Sequence, residues 1–271
     1  MPPVRRTRRI DLRKTLFLLP NMITLASIFC GFNSIRISSA AVVDDDYYRA
    51  SIMLVFSLFF DMLDGRVARL TKTQSAFGLQ IDSLADAICF GLAPALLVYR
   101  WALIQKGDLG IAISFVFAAA GVVRLARFNV LSMDTAGQPT KPGKYIVGLP
   151  VPGAAGVLIS LILANHAMAG ELRLNDAKYV YGLMGLTVFL SFLMISTIKF
   201  RSFKDLRLNV RSFLLVGFVI ASSAYVSLRT KPAFVLVWLL AFYVGIGLVE
   251  SIYRLVRRQR HVEQTTIPPQ A

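Results

Sequence analysis

The sequence predicts an all-α membrane protein, a polytopic bundle of about eight transmembrane helices with both termini cytoplasmic. Three observations carry that expectation. Hydrophobic residues make up 56% of the 271 and charged residues only 17%, with a mean hydropathy of +0.62, whereas soluble domains are about 25% charged. Apolar runs of about 17–25 residues, the length that crosses a bilayer as a helix, recur along the chain. The basic residues, 30 Lys and Arg against 15 Asp and Glu for a net charge of +15, cluster on alternate connections.

The elements follow in order. Residues 1–16 carry Arg5, Arg6, Arg8, Arg9, Arg13 and Lys14. They read either as an interfacial helix along the headgroups or as a positive tail that sets orientation. The first apolar run, 17–41, contains Asn21, Asn33 and Arg36. It is longer than the roughly 7–15 residues of a signal-peptide core, so it is expected to be a retained helix. An acidic outer loop, Asp44 to Asp46, leads to span two at 49–64. A cytoplasmic loop at about 66–77 joins it to span three at 78–99, and span four covers 110–129. Gly148-Leu-Pro-Val-Pro-Gly153 opens span five, 148–168. That stretch reads as a break facing a polar cavity or as a proline-marked helix start. Spans six, seven and eight fall at 178–198, 212–228 and 233–252, with Glu250 four residues before Arg254 as an i,i+4 ion pair. The resulting domains are 1–16, a core at 17–205, a C-terminal hairpin at 206–256 and a polar tail at 257–271.

In this arrangement 22 basic residues face the cytoplasm and seven face the other side, as the positive-inside rule requires. The excess charge therefore records topology and suits anionic lipid, and nucleic acid is not an expected partner. Cys30 and Cys89 both lie in apolar runs, so no disulfide framework is expected. Lys141 and Lys144 are most simply a solvated loop.

Ionisable residues inside a span are costly and point to function. Four aspartates occupy the cytoplasmic ends of spans two and three: Asp61, Asp64, Asp82 and Asp86. Asp61 and Asp64 are three apart, and Asp82 and Asp86 four apart, so each pair shares a helix face and the hairpin joins the pairs. Unpaired, they would repel strongly. Either they move protons or ions, as in a carrier, or they bind divalent metal. Carboxylates without His or Cys suit hard ions, Mg²⁺ or Mn²⁺, and two such ions would balance the four charges.

The surrounding residues favour metal and phosphate. The segment reads Asp61-Met-Leu-Asp64-Gly65-Arg66-Val67-Ala68-Arg69, eight residues, then Gly78-x3-Asp82-x3-Asp86. Gly65 and Gly78 leave room for a nucleotide, Ala68 keeps the helix surface low, and Arg69 can pair with a phosphate. The small residues alone would also serve tight helix packing. The whole pattern resembles the signature of the CDP-alcohol phosphatidyltransferases. That resemblance implies a six-helix core with two metal ions held by Asp61, Asp64, Asp82 and Asp86. It also implies Asp86 as the base toward the acceptor alcohol, and Gly65 and Arg69 as CDP-lipid contacts. Ser75 matches a hydroxyl position that contacts the cytidine nucleotide. Asn21 and Thr24, in Pro20-Asn21-x-x-Thr24, resemble the family's first-helix element. A homodimer is likewise implied.

The acceptor is read from other segments. Gly121-Val-Val-Arg124-Leu-Ala-Arg127-Phe-Asn129, the Gly148–Ala155 stretch, Leu19-Pro20-Asn21 with Cys30-Gly31-Phe32, and Thr197 to Asp205 together resemble the phosphatidylserine synthase branch. The resemblance covers about 15–205, and it implies CDP-diacylglycerol and L-serine as substrates, in a bacterial inner membrane. Arg124 and Arg127 share a helix face and suit a carboxylate, and Asn129 could hold an amino or hydroxyl group. The same arginines would also serve as positive-inside anchors. The competing expectations are another acceptor alcohol, such as glycerol phosphate or an inositol derivative, and a carboxylate-lined ion carrier, which leaves Gly65, Ala68, Arg69 and Gly78 unexplained.

Overall fold

The computed structural model describes residues 12–73, 75–132, 145–168, 176–201, 222–223, 225–226, 228, 231 and 234–247. Seven helices stand out among them: α1 (Leu12–Ser39), α2 (Asp44–Leu70), α3 (Ala76–Trp101), α4 (Asp108–Ser132), α5 (Val151–Ala167), α6 (Ala177–Ile195) and α7 (Phe234–Gly247). Two three-residue strands, β1 (Tyr145–Val147) and β2 (Lys199–Arg201), pair antiparallel with Ile146 opposite Phe200.

Residues 18–39 of α1, all of α3, residues 108–131 of α4 and all of α6 are long and apolar enough to cross a membrane, so this is a membrane protein. α2 carries too much charge to qualify by composition, and α5, at 17 residues, is shorter. The first six helices coincide with the first six expected spans, and α7 falls within the eighth. Most of the seventh, 212–228, lies outside the described residues. So do residues 1–11, Lys141, Lys144, Glu250 and Arg254.

Two elements differ from the expectation. α2 does not stop at 64 but runs to Leu70, because the residues after Gly65 are mostly good helix formers. It ends where the Thr71 N–H and hydroxyl both donate to the Val67 carbonyl, at 2.9 and 2.8 Å. Lys72 then turns the chain with φ of 55°. Gly65, Ala68 and Arg69 are thus helical rather than part of a loop. α3 is not uniform either: a π-helical turn, Ala87–Leu92, separates α-helical Ala76–Asp86 from Ala93–Trp101. Pro94 offers the cause. Its ring would crowd the carbonyl of Phe90 in a regular helix, and the wider turn relieves it.

Small residues let neighbouring helices close on that turn. A Cβ on Gly31 of α1 would lie 2.6 Å from Cys89 Sγ and 3.2 Å from Cys89 Cα. Gly121 of α4 approaches Gly91 in the same way: a Cβ built on it would lie 3.5 Å from Gly91 Cα. Such backbone approach is the usual basis of helix association in lipid. Leu54, Phe90, Leu97, Phe117, Leu158 and Ile159 fill the core around it.

Gly148 before α5 has φ of 78°, and a Cβ there would sit 2.4 Å from the Met194 carbonyl oxygen. Its N–H donates to Ile198 O at 2.8 Å, and the Leu149 N–H donates to Leu193 O at 3.0 Å. The backbone ahead of the prolines is therefore paired with the C-terminal end of α6. Pro150 and Pro152 mark the helix start, and no open backbone faces a cavity at these two amides.

Candidate active site

The α2–α3 hairpin places Asp61 and Asp64 against Asp82. Oxygens of these three carboxyls lie within 4.8 Å of one another, a grouping able to hold a metal ion. Asp86 stands one turn further along α3. It is not part of that trio, but its carboxyl is within hydrogen-bonding reach of Asp61. Its Oδ1 is sealed from solvent and has no hydrogen-bond partner. Two carboxylates this close need a cation or a proton between them, and a buried oxygen without a donor is costly. Both facts fit a hard divalent ion, and all four donors are oxygens.

α1 supports the cluster from behind. The buried Thr24 hydroxyl lies 2.7 Å from Asp64 Oδ2, a length expected of a bond to a charged acceptor, and 3.1 Å from its own-helix Pro20 carbonyl. Below this, Ser27 and Ser57 are hydroxyl to hydroxyl at 2.8 Å, and the Cys89 thiol donates to Ser27 O at 3.3 Å. This polar seam ties α1, α2 and the π turn together beneath the aspartates. Sequence reasoning missed it, because each residue alone is an ordinary small core residue.

The nucleotide candidates gather at one end of α3. Ser75 caps the helix, its Oγ accepting from Gly78 N–H at 2.9 Å. A Cβ on Gly78 would lie 3.2 Å from that Oγ and 3.8 Å from Asn21 Oδ1. Asn21, Ser75 and Gly78 are therefore one locus beside a helix N-terminus, a favourable place for an anion. Across the hairpin, Arg69 folds back over Gly65, its Nη1 3.5 Å from where a Cβ would stand. Its charge acts on Asp64 and Asp82. Ala68 lies on the same helical turn.

The three residues on α4 have different surroundings. Arg124 is buried, 7% exposed, and within electrostatic reach of Asp86. Its Nε has no hydrogen-bond partner. Asn129 Oδ1 accepts from Ser83 Oγ at 2.9 Å, which joins α4 to the helix of Asp82 and Asp86. Nothing in the sequence singles out Ser83, although it directly follows Asp82. Arg127 is spent on main-chain carbonyls: Ile195 at 2.7 Å, Ser196 at 3.1 Å, and Val147 and Met194 both at 3.3 Å. It holds the last carbonyls of α6, where a cation is favoured, against β1.

The comparisons agree with this geometry. The family model described as CDP-alcohol phosphatidyltransferase matches residues 17–198. A CDP-diacylglycerol–serine O-phosphatidyltransferase of Helicobacter pylori strain J99 is 36% identical over 245 residues, covering 89% of this chain and 94% of that protein. The protein of the same name from Bacillus subtilis is 30% identical over 186 residues, covering 69% and 91%. That from Methanocaldococcus jannaschii is 30% identical over 175 residues, covering 61% and 75%. With the matched segment spanning α1 to α6 and enclosing every aspartate of the cluster, the chain belongs to the CDP-alcohol phosphatidyltransferase family.

Proposed function

We propose that the protein transfers the phosphatidyl group of CDP-diacylglycerol to the hydroxyl of L-serine, giving phosphatidylserine and CMP. One observation carries this reading beyond the family. A buried arginine, Arg124, with an unpartnered Nε, lies within electrostatic reach of Asp86, whose Oδ1 is also unpartnered. An acceptor with a hydroxyl at one end and a carboxylate at the other complements that pair. The serine transferases among the relatives support the same acceptor.

Asp61, Asp64, Asp82 and Asp86 would hold two divalent cations, Mg²⁺ or Mn²⁺. Bound there, such ions neutralise the diphosphate and stabilise CMP as it leaves. Arg69 pairs with a phosphate, and Gly65 and Ala68 keep α2 low enough for it to approach. Asn21, Ser75 and Gly78 receive the cytidine nucleotide at the N-terminus of α3. Thr24 acts through Asp64, fixing the orientation of a ligand. Arg124 takes the serine carboxylate and the Asn129 amide holds a polar group of serine. Arg127 contributes through the turn it anchors. Asp86 accepts the proton of the serine hydroxyl as its oxygen bonds to the phosphorus bearing diacylglycerol. The bond from that phosphorus to the CMP oxygen breaks, and CMP departs. Positioning and electrostatics supply most of the rate, as in other phosphoryl transfers.

CMP release by purified protein tests the reading. It is expected to require CDP-diacylglycerol, L-serine and Mg²⁺ or Mn²⁺ together. Turnover without serine, or better turnover with glycerol 3-phosphate or inositol, would reassign the acceptor. Turnover in excess chelator would remove the metals. Thr24→Val keeps shape and loses the donor to Asp64. It should raise the divalent concentration needed for half-maximal rate about tenfold, the lower range for losing a group that orients a metal ligand. An unmoved titration would return Thr24 to a purely packing role.

The same reading includes eight spans, cytoplasmic termini and an active site open to the cytoplasm of a bacterial inner membrane. Its support is the distribution of the basic residues. Cysteines introduced in the α2–α3 connection should react with an impermeant reagent only from the cytoplasmic side. A homodimer is proposed as well, to be tested by the mass of the purified particle in detergent.

A further inference from the structure

α3 is built from two halves whose faces would collide in a regular helix. At about 100° per residue, Asp82 and Asp86 would both lie within about 20° of Ala93, which follows them in the chain. Ala93 and Leu97 are fully buried in the core, so the packed stripe of the second half would run straight through the aspartates. The π turn that starts directly after Asp86 prevents this. There the Ala93 N–H donates to the Ile88 carbonyl, one residue further back than in an α-helix. A wide turn takes up one extra residue, so it rotates the aspartate half by about 100° against the packed half.

The turn is seated on both sides. Fully buried Cys89 lies against α1, where a Cβ on Gly31 would stand 2.6 Å from its Sγ, and its thiol donates to Ser27 O at 3.3 Å. Gly91 lies against α4, where a Cβ on it would stand 3.8 Å from Ala118 O. Ser27 is one turn from Thr24, the donor to Asp64, and its hydroxyl meets that of Ser57, one turn from Asp61. The seat is thus continuous with the supports of the α2 aspartates. We infer that the π turn sets the rotation that brings Asp82 and Asp86 toward Asp61 and Asp64, with Pro94, Gly31 and Cys89 as its positioning residues. This rests on the reading of the four aspartates as metal ligands. Pro94 has no N–H for the Phe90 carbonyl and excludes the regular turn. Gly31 leaves the space that Cys89 fills.

Gly31→Ala tests this in full-length purified protein, because its methyl displaces the Cys89 sulfur and the turn with it. Mn²⁺ affinity, read without substrate from the paramagnetic signal of the free ion, should fall about tenfold, the lower range for losing a group that orients ligands. The divalent concentration for half-maximal CMP release should rise by the same factor. Adding Cys89→Ala removes the atom nearest the methyl and should restore much of the affinity. Gly156→Ala controls for loosened packing. It adds a methyl where α5 meets α7, 3.1 Å from Leu240 Cδ1, and should leave Mn²⁺ affinity unchanged even if the melting temperature falls. Should Gly31→Ala not fold, Pro94→Ala takes its place: it lets the turn tighten to the regular register and should weaken Mn²⁺ binding likewise. Unmoved Mn²⁺ affinity in folded Gly31→Ala or in Pro94→Ala, or a loss that Cys89→Ala does not relieve, overturns this inference alone. If the unaltered protein binds no Mn²⁺ and turns over in chelator, the metal reading falls and takes this inference with it.

Discussion

Asp86→Asn is expected to abolish serine-dependent CMP release, by about 10²–10⁴-fold, the range for a lost general base. The substitution is close to isosteric, and its amide can donate to the neighbouring Asp61 carboxyl, so the fold should persist. Asp86 stands outside the trio of Asp61, Asp64 and Asp82, whose oxygens lie within 4.8 Å of one another. Those three retain most of the negative charge that attracts divalent ions. Binding of CDP-diacylglycerol should therefore survive in part, and equilibrium binding of the labelled lipid can measure it beside turnover. Two results would count against the assignment. Retained turnover removes Asp86 as the base, and complete loss of CDP-diacylglycerol binding assigns the effect to its role as a metal ligand alone. The buried, unpartnered Oδ1 is compatible with both roles, since one oxygen is left without a protein donor and can meet an ion or a proton.

The contrast between what could and could not be foreseen follows from contact range. The hairpin was legible because Asp61 and Asp64, and Asp82 and Asp86, lie at helical spacings on runs too apolar to be soluble. The first six helices were legible for the same reason. Their ends were less so: α2 passes its expected end because nothing between Gly65 and Leu70 stops a helix except tertiary context. The π turn at Ala87–Leu92 leaves no periodic trace, and Pro94 explains it only once α3 is known to continue past it.

Long-range partners were beyond reach altogether. Arg127 reads as a cytoplasmic anchor or an acceptor contact, but its guanidinium is taken up by carbonyls at and just past the end of α6, almost seventy positions away. The motif around Thr24 points to the nucleotide, while its hydroxyl meets Asp64 forty positions on. Tyr243 carries no motif, and only the docking of α7 on α5 places its ring against Gly153. For Arg124, charge at a helix end and chemistry at a site cannot be separated by sequence. Burial is the observation that favours the proposed site role: a positive-inside anchor belongs in the headgroups, whereas Arg124 is 7% exposed and within electrostatic reach of Asp86.

Asp82→Asn should also stop the reaction, but by a different route, and the difference separates a residue that only holds metal from one that is also the base. Asp82 faces both carboxylates of α2 and the charge of Arg69. Removing its charge takes away a ligand and part of the attraction for cations. Turnover at ordinary divalent concentrations should fall by at least about a hundredfold, beyond the usual cost of losing a mere ligand-orienting group. Raising Mg²⁺ or Mn²⁺ should recover part of it, which it should not do for Asp86→Asn. Thermal unfolding provides a second measure. In chelator, the variant should melt no lower than the unaltered protein, because one member of a mutually repelling trio has been neutralised. When Mg²⁺ is added, the unaltered protein should gain stability through binding to the native state, and the variant should gain less at the same concentration. Equal stabilisation of both proteins would mean that Asp82 does not hold the ion. A lower melting temperature in chelator would mean that its carboxylate holds the hairpin together without any metal.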